Sequence, residues 1–360
     1  MSRPIILVTG ATGKTGAAVV RELLARGHRV RALVRTDDAR AQALRRLGAE
    51  PAVADLYDPL DLSKAMRGVQ RAYFVPVFRP YMIQSAAAFA AAAADAGLEH
   101  VVQLSQWLSS PDHPSNLTRQ TWLVDRMLSG IPGVGHTILN PGMFADNFLR
   151  TIDMPANLGV QPVMTGASRS APVSNEDIAR VAAAVLTDPV PHRGKVYRPT
   201  GPRLLSGLDI AAVLSRVLGR RVRPVPVPFW LFTKVARAQG VHPFEISSYR
   251  HYMNDHRAGA FEADGGVTDV VERLTGTPSE DFETTARRYA SLPAARRSLG
   301  ATLAAWGRFV VAPALPGYNL NRWDELAQTP RASRPTLAVE SAFWRESHLR
   351  PSVASPGWPT

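Results

Sequence analysis

Through the first 150 residues, short unbroken apolar runs alternate with stretches whose apolar positions recur at helical spacing. The runs fall at 4–9, 29–34, 51–54, 71–77, 100–104 and 136–139, and the helical stretches near 14–26, 38–47, 60–67, 82–96 and 118–129. A run without polar interruption suits a strand covered on both faces. Strand–helix alternation implies right-handed crossovers, so the pattern predicts an α/β fold with a doubly wound parallel sheet. After residue 150 the rhythm changes. "VSNEDIARVAAAVLTDP" (173–189) reads as a helix begun by Ser174 or Asn175 and stopped by Asp188-Pro189. "GKVYRPTG" (194–201) reads as one more strand, 206–220 as a helix, and "RPVPVPFW" (223–230) as proline-punctuated connection.

The predicted organisation is a dinucleotide-binding unit over 1–150, completed by 173–200, with an interleaved α+β substrate unit over 151–290. Residues 291–316 suggest one helix ended by Pro313 and Pro316. The remainder, with Pro330, Pro335, Pro351, Pro356 and Pro359 among polar residues, reads as an arm without its own core. Its place, whether over the active site, across a homodimer or loose, stays open at this stage, as does a regulatory protein partner.

The first glycines decide the chemistry. "TGATGKTG" (9–16) contains Gly13-Lys14-Thr15, the tail of a P-loop, yet Val8 stands where that motif needs its first glycine. Gly10, Gly13 and Gly16 instead join a buried strand to a helix. That arrangement aims main-chain N–H groups and a helix dipole at the pyrophosphate of a dinucleotide.

Composition narrows the rest. The absence of cysteine excludes disulfides, thiolate metal sites and a cysteine nucleophile. The apolar start is too short for a signal peptide. Residues 83–98, alanine-rich and closed by Asp95 and Gly97, read as a packed helix and not a membrane span. The expectation is a cytoplasmic protein without a membrane partner. The formal charge of +12 comes from scattered arginines, with only Lys14, Lys64, Lys195 and Lys234 as lysines. No basic run with interleaved aromatics appears, so the field is read as steering anionic ligands and not as a nucleic-acid surface.

Taken together, "TGATGKTG", "RALVRTDD", "ADLYDPLDLSKAMRGV", "HVVQLSQW", "HTILNPGMFADNFL" and "GKVYRPTGP" resemble, in this order, the NmrA-like subgroup of atypical short-chain dehydrogenases over residues 4–290. The resemblance implies a Rossmann-like fold binding NAD(P) through Gly10, Thr12, Gly13, Lys14, Thr15 and Gly16. It also implies adenine contact from Asp55-Leu56, a largely main-chain contact from Val75-Pro76, and a nicotinamide side formed by Ser105, Asn140, Pro141 and Phe144. Asp55 has an alternative role as a turn cap. Arg35 ends the second strand where an acid would select NAD, and Lys14 is read as converging on the same phosphate, which favours NADP(H). The alternative leaves Arg35 solvated and gives the ribose to Asp37 or Asp38.

Classical relatives use a Tyr four residues before a Lys to protonate a carbonyl. This chain has no Tyr-x-x-x-Lys and no lysine between Lys64 and Lys195. Two functions remain. One is an NADPH-dependent reductase of a small apolar quinone, imine or conjugated C=C, with Ser105, Gln106, Tyr81, Tyr249, His251 or Tyr252 as proton donor or orienter. The other is a noncatalytic dinucleotide sensor. The aromatics Phe229, Trp230, Phe232, Phe244, Tyr249 and Tyr252 either line a pocket over the nicotinamide or form a satellite core.

Overall fold

The run Ile5–Val8 forms β1, an interior strand of a sheet whose strand order is β3-β2-β1-β4-β5-β6-β8, all parallel. The structure is a computed structural model and describes residues 3–349; Pro351, Pro356 and Pro359 of the predicted arm lie outside the described residues. The other strands are β2 Arg29–Val34, β3 Glu50–Val53, β4 Arg71–Phe74, β5 His100–Leu104, β6 Gly135–Leu139, β7 Val160–Val163, β8 Val196–Tyr197 and β9 Arg223–Pro226. Helices α1 Lys14–Ala25, α2 Ala39–Arg46, α3 Pro59–Ala65, α4 Met82–Asp95 and α5 Asn116–Ser129 are the crossovers. They are followed by α6 Ala145–Leu149, α7 Asp153–Leu158, α8 Asn175–Thr187, α9 Gly207–Val217, α10 Phe229–Ala238 and α11 Pro243–Arg257. The described residues end with α12 Val270–Thr275, α13 Phe282–Ala290, α14 Leu299–Val311, α15 Leu320–Leu326 and α16 Ala342–Leu349.

Successive strand residues point to opposite faces, and the two cores divide accordingly. Ile6, Val8, Tyr73, Val102 and Leu104 pack with α1 and α8, whereas Leu7, Phe74 and Val101 pack with α3, α4 and α5. The chain reverses its direction of progress between β1 and β4, and the crevice outside their carboxyl ends is where such sheets bind ligands.

Four predicted elements differ. The strand expected over 71–77 leaves the sheet at Phe74, before Pro76, and that over 194–201 keeps only Val196–Tyr197. The stretch expected to connect at 223–230 begins with β9, which pairs in parallel with β7. Pro224 and Pro226 carry no N–H, but Arg223 and Val227 donate to Gly159 O and Val163 O at 2.8 Å, so the prolines take the non-donating positions of a two-stranded ribbon. The helix expected over 291–316 starts only at Leu299, where the Ser298 hydroxyl accepts from Ala301 N.

Candidate dinucleotide and substrate site

Gly10 turns the chain with φ +59°, and Gly13 N donates to Gly10 O at 2.8 Å. A Cβ on Gly16 would stand 2.2 Å from Gly10 O, so the turn closes only with glycine there. Helix α1 begins with neither a side-chain cap nor an acid in its first turn, which leaves its N-terminal end electropositive. Across the crevice, Thr9 Oγ1 accepts from Val75 N at 2.8 Å, and Val75 lies 3.5 Å from the place a Gly10 Cβ would take. The turn and the Val75-Pro76 segment therefore share one wall. Thr15 Oγ1 donates to Asn175 Oδ1 at 2.7 Å, tying α1 to α8, and Thr12 is half-buried in the turn.

Beyond β5 and β6 a second group assembles. Ser105 N donates to Leu139 O, Asn140 N to Tyr197 O and Trp107 N to Pro141 O, which locks the two post-strand loops together. Asn140 is buried and its Oδ1 has no partner, an orphaned acceptor beside the crevice. Phe144 pairs through its backbone with Val173 and packs on the sheet core.

Charge placement revises one expectation and sharpens another. Lys14 does not converge with Arg35: its Nζ contacts both Asp146 oxygens at 2.7 and 2.8 Å and Tyr289 Oη at 3.1 Å. The Asp146 side chain is only 7% exposed, and a carboxylate so desolvated demands a cation. Arg35 is exposed and makes no hydrogen bond or ion pair within the described residues. The competing acids are occupied: Asp38 caps α2 and pairs with Arg40, and Asp37 pairs with Arg45. Asp55 accepts from Tyr57 N at 3.0 Å, the turn-capping role, and Leu56 packs into the core beneath the sheet.

The proton-donor candidates scatter. Ser105 Oγ donates to Asp125 Oδ2 at 2.9 Å, within a buried group in which Ser109 and Gln103 also donate to that carboxylate at 2.6 Å. Burial outweighs these bonds and pushes the Asp125 carboxyl up to about 7. Gln106 Nε2 donates to Thr121 Oγ1. Tyr81 is 67% exposed at the start of α4 and its hydroxyl has no partner, so nothing orients it as a donor. Tyr252 Oη donates to Gly142 O at 3.3 Å, and burial raises its phenol far above its usual range, making it a poor acid. Burial lowers His251 to about 4, helped by the charges of Arg250 and His113.

The predicted aromatics divide: Phe229 and Phe232 enter a satellite core, Trp230 is exposed, Phe244 packs against Trp323, and Tyr252 joins a separate group. Phe229 and Phe232 pack against Ala236, Ile246 and Leu320, with Phe232 tilted on Phe229 and edge-on to Tyr249. A second aromatic group, of which the sequence singles out only Tyr252, covers the 105–110 and 140–144 loops: Trp107, Tyr252, Phe261 and Trp344. The Arg198 guanidinium lies 3.6 Å over Trp107, donates to Phe261 O and is pulled down to about 10 by burial. Trp344 comes from the predicted arm, which has no separate core but buries its indole completely here. A cleft of about 410 Å³ opens between the start of α5, α11 and residues 329–335, lined in part by Ser115, Phe244, His251 and Trp323; none of its lining belongs to the glycine turn.

A doubly wound sheet with a glycine turn at its switch point defines the class, a Rossmann-like dinucleotide-binding fold. The sequence model of the NmrA-like family matches residues 2–275, and the chain belongs to that family. It is 33% identical over 289 residues to an NAD(P)H azoreductase of Xenophilus azovorans, covering 80% of this chain and 98% of the relative. It is 31% identical over 281 residues to a (4-alkanoyl-5-oxo-2,5-dihydrofuran-3-yl)methyl phosphate reductase of Streptomyces griseus, covering 77% and 95%. The fold matches the NADPH complex of an Escherichia coli NADPH-dependent quinone oxidoreductase with a TM-score of 0.66 at 24% identity, covering 79% of this chain and 99% of that one. The family match ends at residue 275, before α13, α14 and the arm.

Proposed function

We propose that this protein is an NADPH-dependent reductase acting on a small apolar conjugated acceptor, a quinone, an imine or an activated C=C. The observation that carries the reading is the uncapped α1 N-terminus over a turn that only glycine at 16 can close. The residues fit the cofactor: Gly10, Thr12, Gly13 and Gly16 cradle its pyrophosphate, Arg35 receives the 2′-phosphate, and Val75-Pro76 with Asn140 and its orphaned Oδ1 flank the nicotinamide end. Bound there, the reduced cofactor supplies the hydride. The unpaired Arg35, with Asp37 and Asp38 committed to α2, supports NADP(H) over NAD(H).

The chain's own task is then positioning. Without a Tyr-x-x-x-Lys pair the protein is suited to acceptors that need little proton assistance. Ser105 orients the acceptor, with Asp125 fixing the direction of its hydroxyl, and the Trp107, Tyr252 and Phe261 group supplies an apolar wall. On this reading residues 1–150 with 173–200 hold the cofactor and supply Ser105 and Trp107, and 151–290 complete the acceptor side with Tyr252 and Phe261. The reductase names of the relatives over most of the chain support an enzyme over a sensor.

The test is incubation of the purified protein with NADPH and a panel of quinones, enones, azo dyes and cyclic imines, following absorbance of the reduced nicotinamide. Turnover with at least one class is expected, with NADPH preferred to NADH. Tight NADPH binding without turnover would overturn the reductase and favour a noncatalytic sensor.

A further inference from the structure

Helix α14 is mounted with its apolar side outward. Its inner face is small or polar: Ala305 is buried, Thr302 Oγ1 donates to Asn157 Oδ1, and Arg308 pairs with Asp153 at 2.6 Å. Leu299, Leu303, Trp306 and Val310, spaced four, three and four apart, form one stripe and are between 51% and 79% exposed. An ordinary surface helix shows the reverse arrangement. Phe309 stacks edge-on to Trp306, and Lys234, lying over the exposed Trp230, donates to Pro313 O just past the helix, so the apolar face continues onto α10.

The charge around this face identifies its occupant. Residues 291–323 contain no Asp or Glu and carry Arg296, Arg297, Arg308 and Arg322. Arg296 and Arg297, immediately before α14, are exposed and have no ion-pair partner within the described residues. A second copy seated symmetrically on the stripe would offer these arginines no carboxylate from its own 291–323 segment. A bilayer offers both halves of the match: acyl chains for Leu and Trp, and phosphate headgroups for the arginines. No helix among the described residues is long and apolar enough to cross a membrane, so the contact is an interfacial one.

We propose that α14 docks this protein on the surface of anionic phospholipid bilayers, with Leu299, Leu303, Trp306 and Val310 inserted at the headgroup level and Arg296 and Arg297 on the phosphates. The inference stands apart from the reductase reading and needs no turnover to be tested. It stands against the expectation from sequence of no membrane partner, and the vesicle experiment decides between the two.

The experiment is co-flotation of the full chain with vesicles of phosphatidylcholine alone or of phosphatidylcholine with phosphatidylglycerol. Binding to the anionic vesicles is expected, weakened by salt. Arg296→Gln with Arg297→Gln should weaken it by about fivefold per arginine. Leu303→Ser, Trp306→Ser and Val310→Ser together should weaken it roughly a hundredfold. All these positions are exposed, so thermal unfolding monitored by circular dichroism should be unchanged in both variants. Absence of binding to anionic vesicles overturns the proposal, as does binding indifferent to the serine substitutions. A wild-type dimer by sedimentation equilibrium that the serine substitutions dissociate would overturn it in favour of a contact between copies.

Discussion

The indole of Trp344 stands edge-on to that of Trp107, ring centres 5.2 Å apart at 79°, and its Nε1–H donates to the Trp107 main-chain oxygen at 2.7 Å. Trp107 in turn donates to Ala260 O at 2.8 Å, and His348 stacks on Trp344 while standing edge-on to Trp107. Flanking bonds fix the approach: Ala338 N donates to Asp255 Oδ1, whose other oxygen meets His113, and Thr336 and Ser341 donate to Asp112. The arm is thus built into the wall over the loops that follow β5 and β6.

Trp344→Ala should cost about 3–5 kcal/mol of arm docking, the range for deleting a buried aromatic. Limited proteolysis should then cut within 330–349, where the wild type resists. NADPH affinity should hold while KM for the acceptor rises. An arm equally resistant in the variant would show that the contact does not hold it.

Arg35 and Lys14 should separate cleanly. Arg35→Ser removes the unpaired cation at the end of β2 and should weaken NADPH binding roughly tenfold to a hundredfold while leaving NADH unaffected, as loss of a charge-assisted bond implies. Lys14→Ala removes the counter-ion of Asp146. Its cost should fall mainly on stability, about 1–2 kcal/mol, because Lys14 is half exposed and Arg150 stands 3.8 Å from the same carboxylate. Calorimetric titration of both cofactors and urea unfolding of both variants check this. Equal loss of NADPH affinity in the two would restore the two-cation site.

These residues also show what the sequence could carry. Strands covered on both faces announce themselves locally, and β1, β2 and β5 lie where their apolar runs predict. Ser174 likewise caps α8 by accepting from Asp177 N, as its position before an acidic first turn implies. The glycine turn was legible because its function requires a fixed spacing. The direction of Lys14 was not, since Asp146 lies 132 residues away, and the docking of the arm depends on a partner 237 residues distant from Trp344. β9 was hidden by prolines that ordinarily argue against a strand. Asp125 left a local clue, an acid between Val124 and Leu128 on the buried side of α5.

Acid should destabilise the chain. Burial lowers His100, His251, His256 and His348 to about 4 and His136 to about 3, against an ordinary value near 6.5. Between about pH 6.5 and 4 the unfolded chain therefore binds protons that the folded chain refuses, and stability falls as pH falls through that window. Asp125, raised to about 7, and Asp177, also raised by burial, work in the opposite sense, but they are two groups against five. The urea midpoint should drop steadily from pH 7 to pH 4.5, and His348→Gln should flatten the drop. A midpoint that is level or rises on acidification would contradict the buried-neutral assignment.

Asp125 should also appear in turnover. When ionised, its carboxylate takes the protons of Ser105, Ser109 and Gln103, so the Ser105 proton is committed to Asp125 and not to an acceptor. When protonated, it has a proton of its own to give within that group, and the Ser105 hydroxyl is released toward an acceptor. The rate should therefore be higher on the acid side of an inflection near pH 7. Asp125→Asn carries no titrating group and should abolish the inflection, whereas Ser105→Ala should lower the rate and remove the inflection together. Asp125 acts here as a positioning residue, and the pH profile distinguishes that role from a purely structural one, which would lower activity at every pH alike. An inflection that persists in Asp125→Asn would assign it to another group and leave Ser105 outside the chemistry.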